Sequence, residues 1–222
     1  MRVMDLLESD RALSFSAFAL FLLLGAGALL PHQDPASLPA HDAHEGLLIA
    51  ADPYLEAARY KARFGKKNPY GAGILAVDVY FRNDNDKAIR LNLDAIRLLL
   101  SPPGGERQRF GALPAEDVVD RILNKGGPNP NTSRRPLPIP GRGPKTPHGK
   151  EWREVEEALR ATAFEMDILP PRSSVHGVFF FDVDSHYDWL GYMRLYIPEL
   201  KFVDTKQPLL FFEVDLAPAQ PR

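Results

Sequence analysis

GILAVDVYFRNDNDKAIRLNLDAIRLLL, residues 73–100, is the stretch of sequence that decides the fold class. Apolar and polar side chains alternate along its first half. The apolar face consists of Leu75, Val77, Val79 and Phe81, and the opposite face consists of Asp78, Tyr80 and Arg82. This period of two residues predicts a β-strand with one face buried and the other face in contact with water.

The second half of the stretch also alternates, but its apolar phase shifts by one residue. Its apolar residues are Ile89, Leu91 and Leu93, followed after the shift by Ile96, Leu98 and Leu100. A shift of one residue moves every later side chain to the opposite face of a strand. We therefore expect a bulge or a bend near Asp94 and Ala95.

The polar residues 83–87, NDNDK, separate the two runs. Asn and Asp tolerate left-handed backbone conformations and hydrogen-bond to their own backbone, so these residues favour a turn. Two interpretations remain open at this point. The runs form an antiparallel hairpin, or the turn crosses from one sheet to another.

Composition limits the function classes that the chain can support. The chain has 222 residues, of which 45% are hydrophobic and 25% are charged, with a formal net charge of -2 and no cysteine. Without cysteine it forms no disulfide, no thiolate metal site and no cysteine nucleophile. A net charge near zero does not indicate binding to nucleic acid, and none is expected.

The N-terminal region predicts export from the cytoplasm. Residues 12–30 carry no charge and are long enough to form a hydrophobic helix across a membrane. The sequence Ala-Gly-Ala at residues 26–28 resembles a signal-peptidase site. Residues 1–30 are therefore interpreted as a signal peptide or an uncleaved membrane anchor, with the rest of the chain periplasmic, envelope-associated or secreted. Residues 31–45 are predicted to be a tether.

Residues 46–216 are predicted to form the folded domain, and residues 217–222 a tail. Helices are expected at residues 54–64, 114–125 and 151–166, and further strands at residues 46–51, 175–183, 193–197 and 209–216. Strands at both ends, with helices only in the connections, do not fit a βαβ repeat. The order predicts a mainly β fold, an antiparallel immunoglobulin-like sandwich of about seven strands with two or three helices.

A basic segment at residues 126–149 interrupts this domain, and half of its residues are Pro or Gly. Its charged residues are Arg134, Arg135, Arg142 and Lys145. Such a segment buries too little apolar surface to offset the entropy cost of ordering it. It is interpreted either as an expanded surface loop or as an arm that binds an acidic partner or a wall polymer.

Three stretches carry a family resemblance: AGILAVDVYFRNDNDKAIRLNLDAIRLLL at residues 72–100, PPRSSVHGVFFFDV at residues 170–183, and the closing pair LYIPEL and LLFFEVDL. Together they resemble the immunoglobulin-like β-sandwich domains of exported bacterial proteins, in which two strands flank an N-x-[SN]-D turn. The resemblance covers most of residues 46–216. The glycine that usually precedes the second motif is absent here, where Pro170, Pro171 and Arg172 stand. Most members have no assigned function, so the resemblance implies no catalytic residue.

The densest polar cluster in the sequence is DVDSHYD at residues 182–188. Its candidate metal ligands are Asp182, Asp184, His186 and Asp188, which alternate like the first ligands of a calcium-binding loop. Tyr187 stands where that loop requires glycine, and Met193 stands where it requires a bidentate glutamate. The opposing interpretation is a strand end in contact with water, with Asp182 and Asp184 on the wet face.

Three weaker patterns complete the search for sites. His41 and His44 have the spacing of two ligands on one helix, but a tether offers them no rigid scaffold. The glycines of residues 71–76 match a dinucleotide-binding loop, yet they precede a strand where that loop opens a helix. Candidate contact anchors for a partner, which alternatively cap the core, are Tyr187, Trp189 and Tyr192.

These patterns together predict a non-enzymatic, extracytoplasmic β-sandwich module that is structural or binds a protein or polymer of the cell envelope. The sequence contains no complete catalytic constellation, and no cofactor is expected. The alternative is a metal-dependent binder or hydrolase that uses the cluster formed by Asp182, Asp184, His186 and Asp188. The oligomeric state is left open.

Overall fold

A computed structural model of the chain describes residues 34–124 and 149–219. Within these residues the protein is mainly β, as predicted, with eleven strands in three antiparallel sheets and three α-helices. The predicted signal peptide or anchor at residues 1–30 lies outside the described residues. So do residues 126–148 of the basic segment and the last three residues of the tail.

The first sheet contains the long central strand that the sequence predicts. Its four strands lie in the order β1 (His41–His44), β2 (Leu47–Pro53), β3 (Ile74–Asn83) and β8 (Ser173–Asp182). All neighbours are antiparallel, and β3 pairs along its whole length with β8, from Ile74 opposite Asp182 to Asn83 opposite Ser173. The central position of β3 explains why its pattern dominates the sequence.

The remaining strands form two further sheets. The second four-stranded sheet has the order β11 (Phe212–Asp215), β9 (Met193–Ile197), β5 (Arg97–Leu100) and β6 (Gln108–Gly111). The third sheet is small, with the order β10 (Lys201–Phe202), β4 (Ile89–Arg90) and β7 (Ile168–Leu169). The inner faces of the two four-stranded sheets share one core, which includes Val77, Phe81, Phe181, Leu98, Leu195 and Phe212.

Three helices cover the other face of the first sheet. They are α1 (Ala57–Phe64), α2 (Ala115–Leu123) and α3 (Lys150–Arg160). Their apolar stripes form a second core with Ile74, Ala76, Val178 and Phe180. Because this core lies on the face opposite the first one, β3 is buried on both sides. The prediction that Asp78 lies on a wet face is wrong for that reason, since Asp78 is only 6% exposed.

The predicted hairpin at residues 73–100 is wrong, and the alternative of a crossing turn is confirmed. After β3 the chain enters β4, which pairs with β10 and β7 in the third sheet. A 3-10 turn at Leu93–Ala95 then leads into β5 of the second four-stranded sheet. The phase shift near Asp94 and Ala95 therefore marks a bend between two sheets, as expected.

Hydrogen bonds of one side chain explain why the turn after β3 crosses between sheets. Asn83 Nδ2 donates to the backbone oxygens of Lys87, at 2.8 Å, and of Pro170, at 3.0 Å. Asn83 Oδ1 accepts from the backbone N–H of Asn85 at 3.0 Å. Asn83 is 1% exposed, so these bonds satisfy a buried amide that ties the turn to the approach of β8.

The tether predicted at residues 31–45 is wrong for residues 34–44. A 3-10 turn at Pro35–Ser37, capped by the Asp34 side chain, packs Leu38 against Leu48 and Ala50. The chain then forms β1, which pairs with β2 from His41 opposite Ala50 to His44 opposite Leu47. The sequence of β1 looks like a tether because it is mostly polar. The strand lies at a sheet edge, and only one of its faces contacts the protein.

All three helices are shorter than predicted, and α2 spans Ala115–Leu123 in place of residues 114–125. α1 begins at Ala57 and not at residue 54, because the backbone of Tyr54 still belongs to the sheet and donates to Ala76 O at 2.8 Å. α3 ends at Arg160 and not at residue 166. Beyond it, Phe164 N donates to Val178 O at 3.0 Å, so the chain runs extended beside β8.

Among residues 34–124 and 149–219, no helix has the length and apolar character needed to cross a membrane.

Candidate binding surface

The outer face of the second four-stranded sheet is a shallow hollow of about 580 Å³. Strand alternation places leucine, isoleucine and valine of β5, β9 and β11 in the core and sends the intervening side chains outward. We name this surface the arginine face. Its defining residues are Arg97, Arg107, Arg109, Arg194, Tyr192, Tyr196 and Phe211.

Strand register arranges the side chains of the arginine face in rows. In one row Tyr196 of β9 lies between Glu213 of β11 and Arg97 of β5. In the next row Leu99 of β5 lies between Arg194 of β9 and Arg109 of β6. The acidic residues are therefore confined to one edge of the sheet, and the arginines extend from its centre to the β6 edge.

The arginines differ in how far their charge is already compensated. Arg194 Nη1 lies 3.6 Å from Glu213 Oε2, and Arg97 Nη1 donates to the backbone oxygens of Asp94 and Ile96 at 2.6 and 2.7 Å. Within the described residues, the side chains of Arg107 and Arg109 form no ion pair or hydrogen bond. The β6 side of the face therefore carries positive charge that is open to an anionic group.

Apolar side chains are exposed around the same sheet. The large hydrophobic residues that the described part of the chain exposes are Met166, Tyr192, Leu210 and Phe211. Two of these four, Tyr192 and Phe211, line the arginine face and are 47% and 52% exposed. The ring of Phe211 lies 5.5 Å from that of Tyr196. Exposed apolar groups next to uncompensated charge make this face a candidate binding surface.

The structure does not assemble the predicted metal ligands. Asp182 ends β8, and its side chain is fully buried and paired with Arg121 of α2, whose Nη2 lies 3.3 Å from Asp182 Oδ2. Asp182 Oδ1 accepts from the backbone N–H of Asp184 at 3.1 Å. The prediction that Asp182 lies on a wet face is therefore wrong. Its carboxylate is used to join a strand end to a helix.

The other three members of the predicted cluster point elsewhere. Asp184 is exposed in a turn with φ 49°, the ring of His186 stacks on Trp189 at 4.2 Å, and Asp188 is exposed. In residues 34–124 and 149–219 no group of three or more His, Asp or Glu side chains has the arrangement to hold a metal ion. A calcium loop needs its ligands to converge, and here strand and turn geometry separates them.

His41 and His44 lie on a strand, and their surroundings close a sheet edge. The ring of His44 stacks on Phe212 of β11 at 3.7 Å. Beside it, Asp42 Oδ2 accepts from Glu213 N at 3.1 Å, and Glu45 Oε2 accepts from Leu210 N at 2.6 Å. These carboxylates satisfy backbone donors of β11 and of the residues just before it.

The glycine pattern of residues 71–76 has a structural reason. Gly73 caps the 3-10 turn Pro69–Ala72 in the left-handed conformation, with φ 78°. A Cβ atom at Gly73 would lie 2.9 Å from the backbone nitrogen of Ser185. The second glycine is therefore required by the turn and by close packing, and no phosphate-binding helix follows it.

Two of the three predicted contact anchors cap the interior, and one reaches the arginine face. The hydroxyl of Tyr187 donates to Tyr70 O at 2.8 Å, and burial raises its pKa. Trp189 packs against the main core. Tyr192 is 47% exposed and lines the arginine face. Only Tyr192 therefore has the position of a contact residue.

The sequence analysis did not predict a polar network that lies on the first sheet. His176 Nδ1 lies 3.1 Å from Asp78 Oδ1, the Tyr80 hydroxyl donates to Asp78 Oδ2 at 3.4 Å, and the rings of Tyr80 and His176 stack at 4.9 Å. Burial, followed by the Asp78 carboxylate, raises the pKa of Tyr80 to about 12. The network satisfies a nearly buried carboxylate. A lone Asp inside the apolar run of β3 is the only signal that the sequence offers for it.

Comparison with protein-family models finds no match to the chain, and comparison with curated proteins finds none either. Among solved structures, the chain is similar to a functionally unknown protein from Listeria monocytogenes EGD-e, known from its crystal structure. The two share 13% sequence identity over 71% of this chain and 70% of that one, with a TM-score of 0.32. A likeness at this level carries no argument about function.

Proposed function

We propose that the protein is a non-catalytic, extracytoplasmic module with an immunoglobulin-like sandwich fold that binds a protein of the cell envelope through the arginine face. The observation that carries this proposal is the make-up of that face, with four arginines and three aromatic side chains on one exposed sheet surface. Arg, Tyr and Phe are enriched at protein interfaces, whereas Lys is depleted there, and no Lys lines this hollow.

The charge distribution favours a partner with acidic groups. Arg107 and Arg109 present guanidinium groups without partners in the described residues, and a guanidinium binds a carboxylate through two parallel hydrogen bonds. Phe211, Tyr196 and Tyr192 supply rigid apolar area on either side of Arg194. A partner surface that places carboxylates between apolar side chains complements this arrangement.

The proposed location outside the cytoplasm and the proposed immunoglobulin-like subclass are supported by sequence patterns. The uncharged residues 12–30 support export, and the pattern shared with exported immunoglobulin-like domains supports the sandwich. The single core shared by two antiparallel four-stranded sheets is consistent with that subclass. A topology reporter fused to the C-terminus tests the location, and a reporter that is active only in the cytoplasm would exclude an envelope partner.

Charge reversal tests the arginine face. The variant R107E/R109E changes two exposed arginines without ion pairs, so the fold should be retained. The control K61E/K66E makes the same charge change at Lys61 of α1 and at Lys66 just after it. Neither lysine has an ion pair in the described residues. The helix covers the first sheet, so the control leaves the arginine face unchanged. The parent chain and both variants carry a photo-crosslinking residue in place of Tyr196. All three are expressed in the native envelope.

We expect a protein crosslinked by the parent chain to be lost with R107E/R109E and retained with K61E/K66E. Binding of that purified protein should weaken about tenfold with R107E/R109E and also with increasing salt. Equal crosslinking by both variants contradicts the proposal. Crosslinking to a polysaccharide in place of a protein contradicts it as well.

A further inference from the structure

One edge of the second four-stranded sheet is open. Among residues 34–124 and 149–219, β6 is the terminal strand of this sheet and pairs only with β5. Within the described residues, no backbone hydrogen bond joins Gln108–Gly111 to any other segment. Half of the backbone donors and acceptors of a terminal strand point away from its neighbour, so this edge offers a template for one more strand.

The opposite edge of the same sheet is closed. There Glu213 N–H of β11 donates to the Asp42 side chain, and Leu210 N–H, two residues before β11, donates to the Glu45 side chain. Polar side chains that occupy an edge prevent a further strand from pairing with it. β6 contains no proline and no lysine, and its one charged residue, Arg109, lies on the arginine face.

A groove of about 730 Å³ lies at the Gly111 end of β6. Its lining includes Gly111, Ala112 and Leu113, where the chain leaves β6, and also Phe164 and Phe179. Arg97 and Arg109 line both this groove and the arginine face. A Cβ atom placed on Gly111 would meet nothing within 4 Å, so the end of β6 borders open space.

We propose that the partner of the arginine face adds an extended strand to the free edge of β6, with apolar residues alternating with acidic ones. This inference rests on the proposed function, because the added strand belongs to the protein bound there. Main-chain hydrogen bonds to β6 supply affinity, and the side chains of alternate residues supply specificity.

The alternation of the added strand follows from the sheet that it extends. Side chains on its inner face continue the core between the sheets and contact Leu113, Phe164 and Phe179, so they are apolar. Side chains on its outer face lie next to Arg107 and Arg109, so they are acidic. The groove itself does not call for further acidic residues, because its lining already sets four carboxylates against three guanidinium groups: Asp94, Glu116, Asp117 and Glu165 against Arg97, Arg109 and Arg160.

The chain itself uses this pattern at the opposite edge. β11 reads Phe-Glu-Val-Asp, with Phe212 and Val214 fully buried and Glu213 and Asp215 on the arginine face. Glu213 Oε2 lies 3.6 Å from Arg194 Nη1 of the adjacent strand. An alternating acidic strand at β6 would repeat this arrangement around the other arginines of the face.

The test uses the full chain and a capped peptide of sequence EVDVEVD. We expect the peptide to slow amide hydrogen exchange at residues 108–111. Its binding should weaken about tenfold with R107E/R109E and stay unchanged with K61E/K66E. Two N-methylated forms of the peptide are compared. Each form lacks the backbone N–H donors of one edge of the peptide strand, and the two forms differ in which edge is blocked. One form should lose binding and the other should keep it, because an added strand pairs with β6 through one edge only.

Equal binding of both N-methylated forms, or unchanged exchange at residues 108–111, would overturn the added strand. The protein captured through the arginine face distinguishes this failure from that of the proposed function. If its binding leaves exchange at residues 108–111 unchanged, the added strand is contradicted and the proposed function stands. If no protein depends on the arginine face for capture, both are contradicted.

Discussion

Asp182 and Asp188 look alike in the sequence and have different roles in the fold. Asp182 is buried against Arg121, whereas Asp188 is exposed. Removing the buried carboxylate of this pair costs about 1–3 kcal/mol, because its hydrogen bond and its charge partner are lost while the Arg121 side chain stays 15% exposed. We expect Asp182→Ala to lower the free energy of unfolding by about that amount, measured by urea denaturation of the full chain.

The control for this prediction is Asp188→Ala, which should change the free energy of unfolding by less than about 0.5 kcal/mol. Equal effects of the two substitutions would show that the Asp182–Arg121 pair does not stabilise the protein. If Asp188→Ala alone were destabilising, the sequence interpretation of a functional acidic loop would regain support.

Gly73 combines a backbone requirement with a packing requirement. A non-glycine residue in the left-handed region costs about 1–2 kcal/mol, and a Cβ atom at Gly73 also meets the backbone of Ser185. Gly104 has a similar φ of 72°, but a Cβ atom there meets nothing within 4 Å. We expect Gly73→Ala to destabilise the protein more than Gly104→Ala does, as measured by thermal unfolding. Equal melting temperatures for the two variants would contradict the packing requirement.

At the scale of elements, one hydroxyl joins α1 to the central strand. β2 ends opposite Val77, so Ala76 N–H donates to the Tyr60 hydroxyl at 2.8 Å in place of a strand. The same hydroxyl donates to Ile74 O at 3.1 Å, and burial raises the pKa of Tyr60. Tyr60→Phe leaves a buried N–H without an acceptor, so it should cost about 1–3 kcal/mol of unfolding free energy.

Tyr192→Phe is the matched control, because its side chain is 47% exposed and water can replace any bond of its hydroxyl. Urea denaturation of both variants decides the question. A cost for Tyr60→Phe no greater than that for Tyr192→Phe would mean that the hydroxyl does not hold α1 on the sheet.

At the scale of the whole molecule, buried tyrosines make stability depend on alkaline pH. Burial raises the pKa values of Tyr60, Tyr80 and Tyr187, and that of Tyr80 reaches about 12. In the unfolded chain a tyrosine loses its proton near pH 10. Between that pH and the folded-state pKa the folded protein binds more protons, so stability is complete below about pH 10 and falls as pH rises further.

We expect the urea midpoint to be constant up to about pH 9 and to fall steadily above about pH 10. Tyr80→Phe removes one of the groups responsible, so its midpoint should fall less steeply over the same range. A parent chain whose midpoint stays constant up to about pH 12 would contradict the burial of these hydroxyls.

The sequence alone predicts the elements in which apolar residues recur with a clear local period. β3, β9 and α2 lie within a few residues of their predicted bounds, because apolar residues recur along each with the period of its own backbone. The bend at Leu93–Ala95 is also visible, since a phase shift in the pattern has no other simple geometric meaning. The mainly β class follows from the same signals.

Only the tertiary structure decided which surfaces are covered and which edges are free. The pattern of β3 cannot show that three helices bury its second face, nor that Arg121 reaches Asp182, because both depend on contacts between distant segments. The arginine face likewise gathers residues from segments far apart in the chain, and none of them stands out in its local sequence. Local periodicity determines which residues form strands and helices, whereas the pairing of strands far apart in the chain determines which side chains share an exposed face.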